Sequence, residues 1–251
     1  MNKRSGINVR KLAIIGVLGA ISTVLGMTPL GFIPVGPTRA TIMHIPVIIG
    51  AIMEGPMVGG LVGLIFGLFS MFQAITNPTP VSFVFLNPIV SLLPRVLIGI
   101  FSFYTYDFLR RIGNKKIKWL LYLLWIGIIG YLSYGVYGNI INSDSIWLLI
   151  MNVGLLALTI GIAYFTIFRL KNASLELIIP SIVGTLTNTV GVLTIVYFLY
   201  GEKFVENLGQ DPSFARKIIA GIGIANGIPE TIIAIIIVTS VIGALKGRNN
   251  R

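Results

Sequence analysis

Long apolar runs separated by short polar or basic segments organise this chain. A hydrocarbon core about 30 Å thick takes about 20 apolar residues of helix to cross. On that measure the pattern predicts eight spans: about 12–27, 41–53, 56–74, 86–110, 119–136, 146–168, 174–200 and 218–245. The first resembles a signal peptide, yet no small-x-small cleavage site closes it, and it reads as a first transmembrane helix. Between the spans, Pro29, Pro34, Pro37, Gly31 and Gly36 break any helix over Thr28 to Ala40, and Asn77-Pro78-Thr79-Pro80 makes a second proline-rich loop. Glu54-Gly55-Pro56 starts a new helix on its proline. Gly201 to Lys217, with Phe204, Leu208 and Phe214 among its charges, is expected to form a loop carrying a short interfacial helix. The predicted fold is all-α: one polytopic membrane helix bundle over residues 1–251.

Inside this pattern, small residues recur at helical spacing. Gly16, Gly19 and Ala20 form a stripe on the first helix, and Gly55, Gly59, Gly63 and Gly67 stand in four-residue steps on the third. Such stripes let helices approach closely. Polar residues also interrupt the apolar runs: His44, Gln73, Asn87, Arg95, Asn188, Asn226 and Glu230. A charge at membrane depth costs several kcal/mol, about 2.5 to 3.5 on insertion scales, so Arg95 and Glu230 need a partner, a ligand or a watery cavity.

Composition narrows the class. The chain is 55% hydrophobic and 11% charged, with mean hydropathy +0.91, as a polytopic membrane protein is. Its net charge of +11 sits in clusters between spans rather than on one face, which speaks for membrane topology and against nucleic acid. Fourteen lysines and arginines fall on the side of the termini, while Arg39, Lys203, Arg216 and Lys217 fall opposite. Positive charge marks the cytoplasmic face, so both termini are expected there. With no cysteine and a single histidine, disulfides, thiolate catalysis and multi-histidine metal sites are excluded, and no cofactor is expected. No Gly-Lys-Ser/Thr triplet occurs, so the chain has no P-loop with which to hydrolyse ATP.

Topology gives each polar group a depth. His44, Gln73 and Asn87 fall near the outer ends of their spans, Arg95 and Asn226 farther in, and Asn188 and Glu230 deeper still. The cytoplasmic half is almost purely apolar. A polar pocket open to the outside follows, with Arg95 facing either a ligand or Glu230. A self-sufficient ion-coupled transporter using Glu230 is a rival reading, weakened by the lack of a second buried carboxylate. An intramembrane enzyme lacks paired acids, an HExxH motif or an activated nucleophile.

Four motifs in order are similar to a known family: Thr41-Ile-Met-His44-Ile-Pro46-Val-Ile-Ile-Gly50 with Glu54-Gly-Pro56; Asn87-Pro88 through Leu93-Pro94-Arg95; Gly184-Thr-Leu-Thr-Asn188-Thr189; and Asn226-Gly-Ile-Pro-Glu230. Together they resemble the substrate-binding S component of energy-coupling factor (ECF) vitamin transporters, nearest the pantothenate-type branch, with folate and riboflavin S components more distant. The resemblance implies a six-helix core that captures a water-soluble vitamin from outside and hands it to a membrane T component driven by two cytoplasmic ATPases, in the plasma membrane of a prokaryote. It further implies a gating first outer loop, and docking on the T component through Gly16-x-x-x-Ala20, where the family often has two alanines. Such proteins usually lack the stretch Trp119 to Phe168, so 119–168 is expected to be an inserted two-helix hairpin.

Overall fold

The computed structural model describes residues 8–35, 38–112, 114–141, 146–164 and 172–248. Helix α1 (Val9–Met27) starts on Asn8, whose side chain accepts from the Lys11 N–H. A 3₁₀ turn at Pro29–Gly31 leads into an antiparallel hairpin of β1 (Phe32–Val35) and β2 (Thr38–Thr41), in which Phe32 pairs with Thr41 and Pro34 with Arg39. Then come α2 (Ile45–Glu54), α3 (Pro56–Thr76), α4 (Pro88–Ser91), α5 (Leu93–Ile112), α6 (Asn114–Ile141), α7 (Ile146–Tyr164), α8 (Asn172–Glu206) and α9 (Ala215–Arg248).

Five helical stretches among the described residues are long and apolar enough to cross a membrane: Val9–Met27, Pro56–Thr76, Pro88–Ile112, Glu176–Glu206 and Pro212–Leu245. This is a multi-pass membrane protein, with fewer such stretches than the eight spans predicted. The predicted second span is shortened because Thr41 ends β2 and Ile42 to His44 turn the chain before α2. The remaining ten helical residues of α2 rise about 15 Å, half the hydrocarbon core. Ile45 to Ile52 are all buried, so α2 is a central strut packed among its neighbours.

The charged segment after the predicted seventh span holds no separate interfacial helix. Residues 201–206 continue α8, and Gly209 turns the chain at φ 72°. Asp211 then caps a 3₁₀ turn through the Ser213 N–H, a bond that holds its carboxyl below the usual carboxylate range. The turn Asn142 to Ser145 and the end of the predicted sixth span, 165–168, lie outside the described residues.

The chain divides into two compact units, Phe108–Glu176 and the remainder. In the smaller unit α6 packs on α7. In the larger, one apolar core joins α1, α2, α3 and α9 around Ile48, Val62, Phe66 and Val238. A second gathers Val84, Val90, Val196, Val205 and Ile219 near the α8–α9 turn.

The four-residue glycine ladder sets the next contact. A Cβ at Gly59 would stand 2.9 Å from the Gly99 Cα, one at Gly67 2.6 Å from the Ser91 carbonyl, and one at Gly63 would fall on the Arg95 carbonyl. Backbone meets backbone at three successive rungs. The fourth, Gly55, sits in the α2–α3 turn at φ 104°, with open space around it.

Candidate functional site

The centre of the site is a broken helix. Asn87 caps α4, accepting from the Ile89 N–H at 2.9 Å, and Pro88 takes the first helical position. Four residues after Val90 stands Pro94, which has no N–H to give the Val90 carbonyl. The Arg95 Nη1 donates to that carbonyl instead. The guanidinium lies over the Phe66 and Phe85 rings, 5.4 Å from each centroid. Arg95 is 5% exposed, and its Nε has no partner. A proline-freed carbonyl and two aromatic faces therefore orient the cation and leave part of its donor set unused.

Glu230, 3% exposed, is held from two other sides. One oxygen accepts from the Thr41 N–H at the end of β2 at 2.7 Å, and the other from the Thr189 hydroxyl on α8 at 2.6 Å. Arg95 and Glu230 are within electrostatic range, yet they form none of the ion pairs within 4.0 Å among the described residues; Arg10–Glu54, at 2.9 Å, is such a pair. The choice left open between a ligand and Glu230 thus tilts away from a locking salt bridge.

Asn226 lies one turn before Glu230 on α9 and is buried. Asn188, next to Thr189 on α8, is 4% exposed with an unpartnered Oδ1. α8 meets the broken helix at Gly191, whose Cβ would stand 3.2 Å from the Pro94 Cβ. The structure therefore gathers Arg95, Asn188, Asn226 and Glu230 where α5, α8, α9 and the hairpin base converge. His44 is fully buried beside this group, its Nε2 3.0 Å from the Thr185 hydroxyl and its Nδ1 unpartnered.

The other two polar candidates serve the scaffold. Gln73 donates to the Gly26 carbonyl at 2.9 Å, tying α3 to the end of α1. Asn87, besides capping α4, donates to the Tyr200 hydroxyl at 3.0 Å. That second bond belongs to a clasp on the second proline-rich loop: Phe83 meets Tyr200 edge-on, the Lys203 ammonium lies 5.2 Å above Phe83, and Asn207 donates to the Pro80 carbonyl. The first loop, as the hairpin, is tied to the site through Glu230.

Sequence reasoning missed Thr41 and Thr189 as holders of Glu230, although both lie in the quoted motifs, and Phe66 as a face for Arg95. Phe66 was detectable as the large residue just before Gly67 on the ladder. The Val90 carbonyl was detectable from a proline four residues on.

On the outside of the larger unit, α1, α2 and α9 enclose a groove of about 560 Å³ lined only by apolar side chains, among them Leu18, Ile49 and Val241. It offers a polar ligand no hydrogen bond and includes none of the polar group above. Gly16 and Ala20 are exposed on α1, with open space at Gly16, whereas Gly19 turns inward onto Ile65.

The family described as "ECF transporter, substrate-specific component" matches residues 10–153. The pantothenic acid transporter PanT of Lactococcus lactis subsp. cremoris is 26% identical over 229 residues, covering 85% of this chain and 82% of that protein. The pantothenate transporter PanT of Leuconostoc mesenteroides subsp. mesenteroides is 35% identical over 97 residues, 38% of this chain and 42% of that one. The solved structure of ThiT from Listeria monocytogenes superposes with a TM-score of 0.51 at 15% identity, over 97% of this chain and 96% of that one, a likeness of fold. With more than half its length matched, the chain belongs to the family of substrate-specific components of ECF transporters, and is a transporter subunit rather than an enzyme.

Proposed function

We propose that this chain captures pantothenate at the outer face of the membrane and delivers it to a T component coupled to two cytoplasmic ATPases. The observation that carries this reading is Arg95: buried, oriented by Val90, Phe66 and Phe85, and without a carboxylate partner among the described residues. An anionic ligand supplies what it lacks. The unpartnered Nε and the adjacent Nη2 form one edge of the guanidinium, and a carboxylate accepts from both in a charge-assisted fork. The unpartnered Asn188 Oδ1, with Asn226, Glu230 and His44, faces the amide and hydroxyl groups. The names of the PanT relatives favour pantothenate over folate or riboflavin.

In this reading the hairpin Phe32–Thr41 is the lid, since its base bonds to Glu230, while the clasped second loop stays fixed. Both termini face the cytoplasm, residues 119–168 are an inserted hairpin added in sequence to the six-helix core, and exposed Gly16 and Ala20 meet the T component. The test is calorimetric titration of the purified chain with pantothenate, folate and riboflavin, followed by uptake with and without the ATPase module. Pantothenate binding by the chain alone, with uptake only in the module's presence, is expected. Uptake by the chain alone assigns it instead to ion-coupled transport through Glu230.

A further inference from the structure

The apolar groove between α1, α2 and α9 has a charged end. Along α1 its lining runs from Ala13 to Leu25, a rise of about 18 Å of helix, the scale of a lipid acyl chain. Where it reaches Ala13, Met53 and Leu245, the ends of three helices meet. Arg10 stands three residues before Ala13 and seven before Val17, on the groove-lining stripe of α1. Its guanidinium bonds Glu54 at 2.9 Å with one nitrogen, while the side chain remains 76% exposed. On α9 the lining positions Ile237, Val241 and Leu245 are continued in register by position 248, an arginine three residues after Leu245. Lys11 adds a further charge beside Arg10.

We propose that this groove is a binding site for one anionic phospholipid, its acyl chain between α1 and α9 and its phosphate at Arg10 and the basic C-terminal end of α9. The apolar length fits the tail, and a basic cluster at the membrane-facing end of an interhelical groove is the arrangement that holds anionic headgroups. Arg10 retains N–H donors beyond the bond to Glu54, and the exposed guanidinium suits bidentate contact with a phosphodiester. The site needs the chain to lie in a bilayer; it needs neither the vitamin assignment nor a choice of membrane face.

The experiment is native mass spectrometry of the full chain, purified from nanodiscs holding equal amounts of phosphatidylglycerol and phosphatidylcholine with identical tails. Retention of one phosphatidylglycerol, favoured by about thirtyfold as two basic residues near an anionic headgroup imply, is expected. The double variant Arg10→Gln/Arg248→Gln, one change at an exposed side chain and the other at the last residue of α9, loses the preference. Val17→Trp, which fills the groove, lowers retention of both lipids. Melting temperature reports that each variant is folded. Equal retention of the two lipids by the unaltered chain, or a preference that survives the double substitution, overturns the proposal. So does a groove that shows no lipid preference in the chain alone and becomes protected from Val17→Cys labelling only on co-expression with a T component, which assigns it to a protein.

Discussion

Replacing Arg95 with alanine tests the centre of the functional reading. In the ligand-free protein the change removes the hydrogen bond to the Val90 carbonyl and two ring contacts. It also removes a buried charge, whose desolvation costs several kcal/mol. These terms oppose one another, so the variant is expected to fold and purify like the parent. Binding carries no such compensation. Of the five guanidinium N–H groups, Nη1 serves Val90 and the unpartnered Nε heads the free edge. Truncating one side of a buried, hydrogen-bonded charge pair costs about 2 to 5 kcal/mol, or roughly 30- to 4,000-fold in Kd. The assay is calorimetric titration with pantothenate and with its alcohol analogue, in which CH2OH replaces the carboxylate. The substitution should weaken the acid by that factor and the alcohol by less than about threefold, because only the acid uses the fork. Arg95→Lys, a point charge without the fork, should recover only part of the loss. An Arg95→Ala chain that binds the acid within threefold of the parent would falsify the clamp and leave family membership untouched.

Three other outcomes follow. Glu230→Gln keeps the size of the side chain but removes the charge assisting the Thr41 and Thr189 bonds, so hydrogen exchange over the hairpin should quicken by about five- to tenfold, as about 1 kcal/mol of lost closing energy implies; an unchanged exchange rate would show that the hairpin is held elsewhere. Gly63→Ala places a Cβ on the Arg95 carbonyl and should cost at least about 1 to 3 kcal/mol, read as a lower melting temperature; the same change at Gly16, in open space, should leave melting unaltered. Gly16→Trp should leave vitamin binding intact yet reduce co-purification of a T component severalfold, and undiminished co-purification would move the docking surface off this face of α1.

How far the residues foretold this arrangement differs by element. The apolar runs marked α1, α3, the broken α4–α5 segment, α8 and α9, because lipid and a packed apolar core impose the same residue types on a helix. Their ends were misjudged where polar residues continue a helix past the apolar run, as Gly201 to Glu206 do on α8. The hairpin was invisible for a different reason. Its prolines read as loop, yet a two-stranded ribbon has only edge strands, and Pro34 opposite Arg39 can withhold an N–H without breaking a sheet. The polar candidates were legible as types and not as pairs. Charge alone favours Arg95 with Glu230, but the Thr41 N–H that Glu230 takes is 189 positions away in sequence, and no pattern along the chain announces it.

Holding the buried cation and the buried acid by separate groups has a physical consequence. Had Arg95 and Glu230 formed a close pair, an incoming carboxylate would have had to displace one anion to gain the other, and the net gain would be small. Here Pro94 leaves a backbone carbonyl that takes one guanidinium nitrogen, and the rings of Phe66 and Phe85 fix its plane. The carboxylate of Glu230 is occupied by a hairpin N–H and a helix hydroxyl. On the proposed reading, a ligand anion meets an oriented donor edge with no competitor on it, and little ordering remains to oppose binding. On that reading the same division separates two tasks: substitutions on the Arg95 side are expected to change the affinity for the acid, and those on the Glu230 side how long the hairpin stays shut. The glycine ladder underlies both, since only backbone-to-backbone packing at Gly59, Gly63 and Gly67 brings Phe66 close enough to face Arg95.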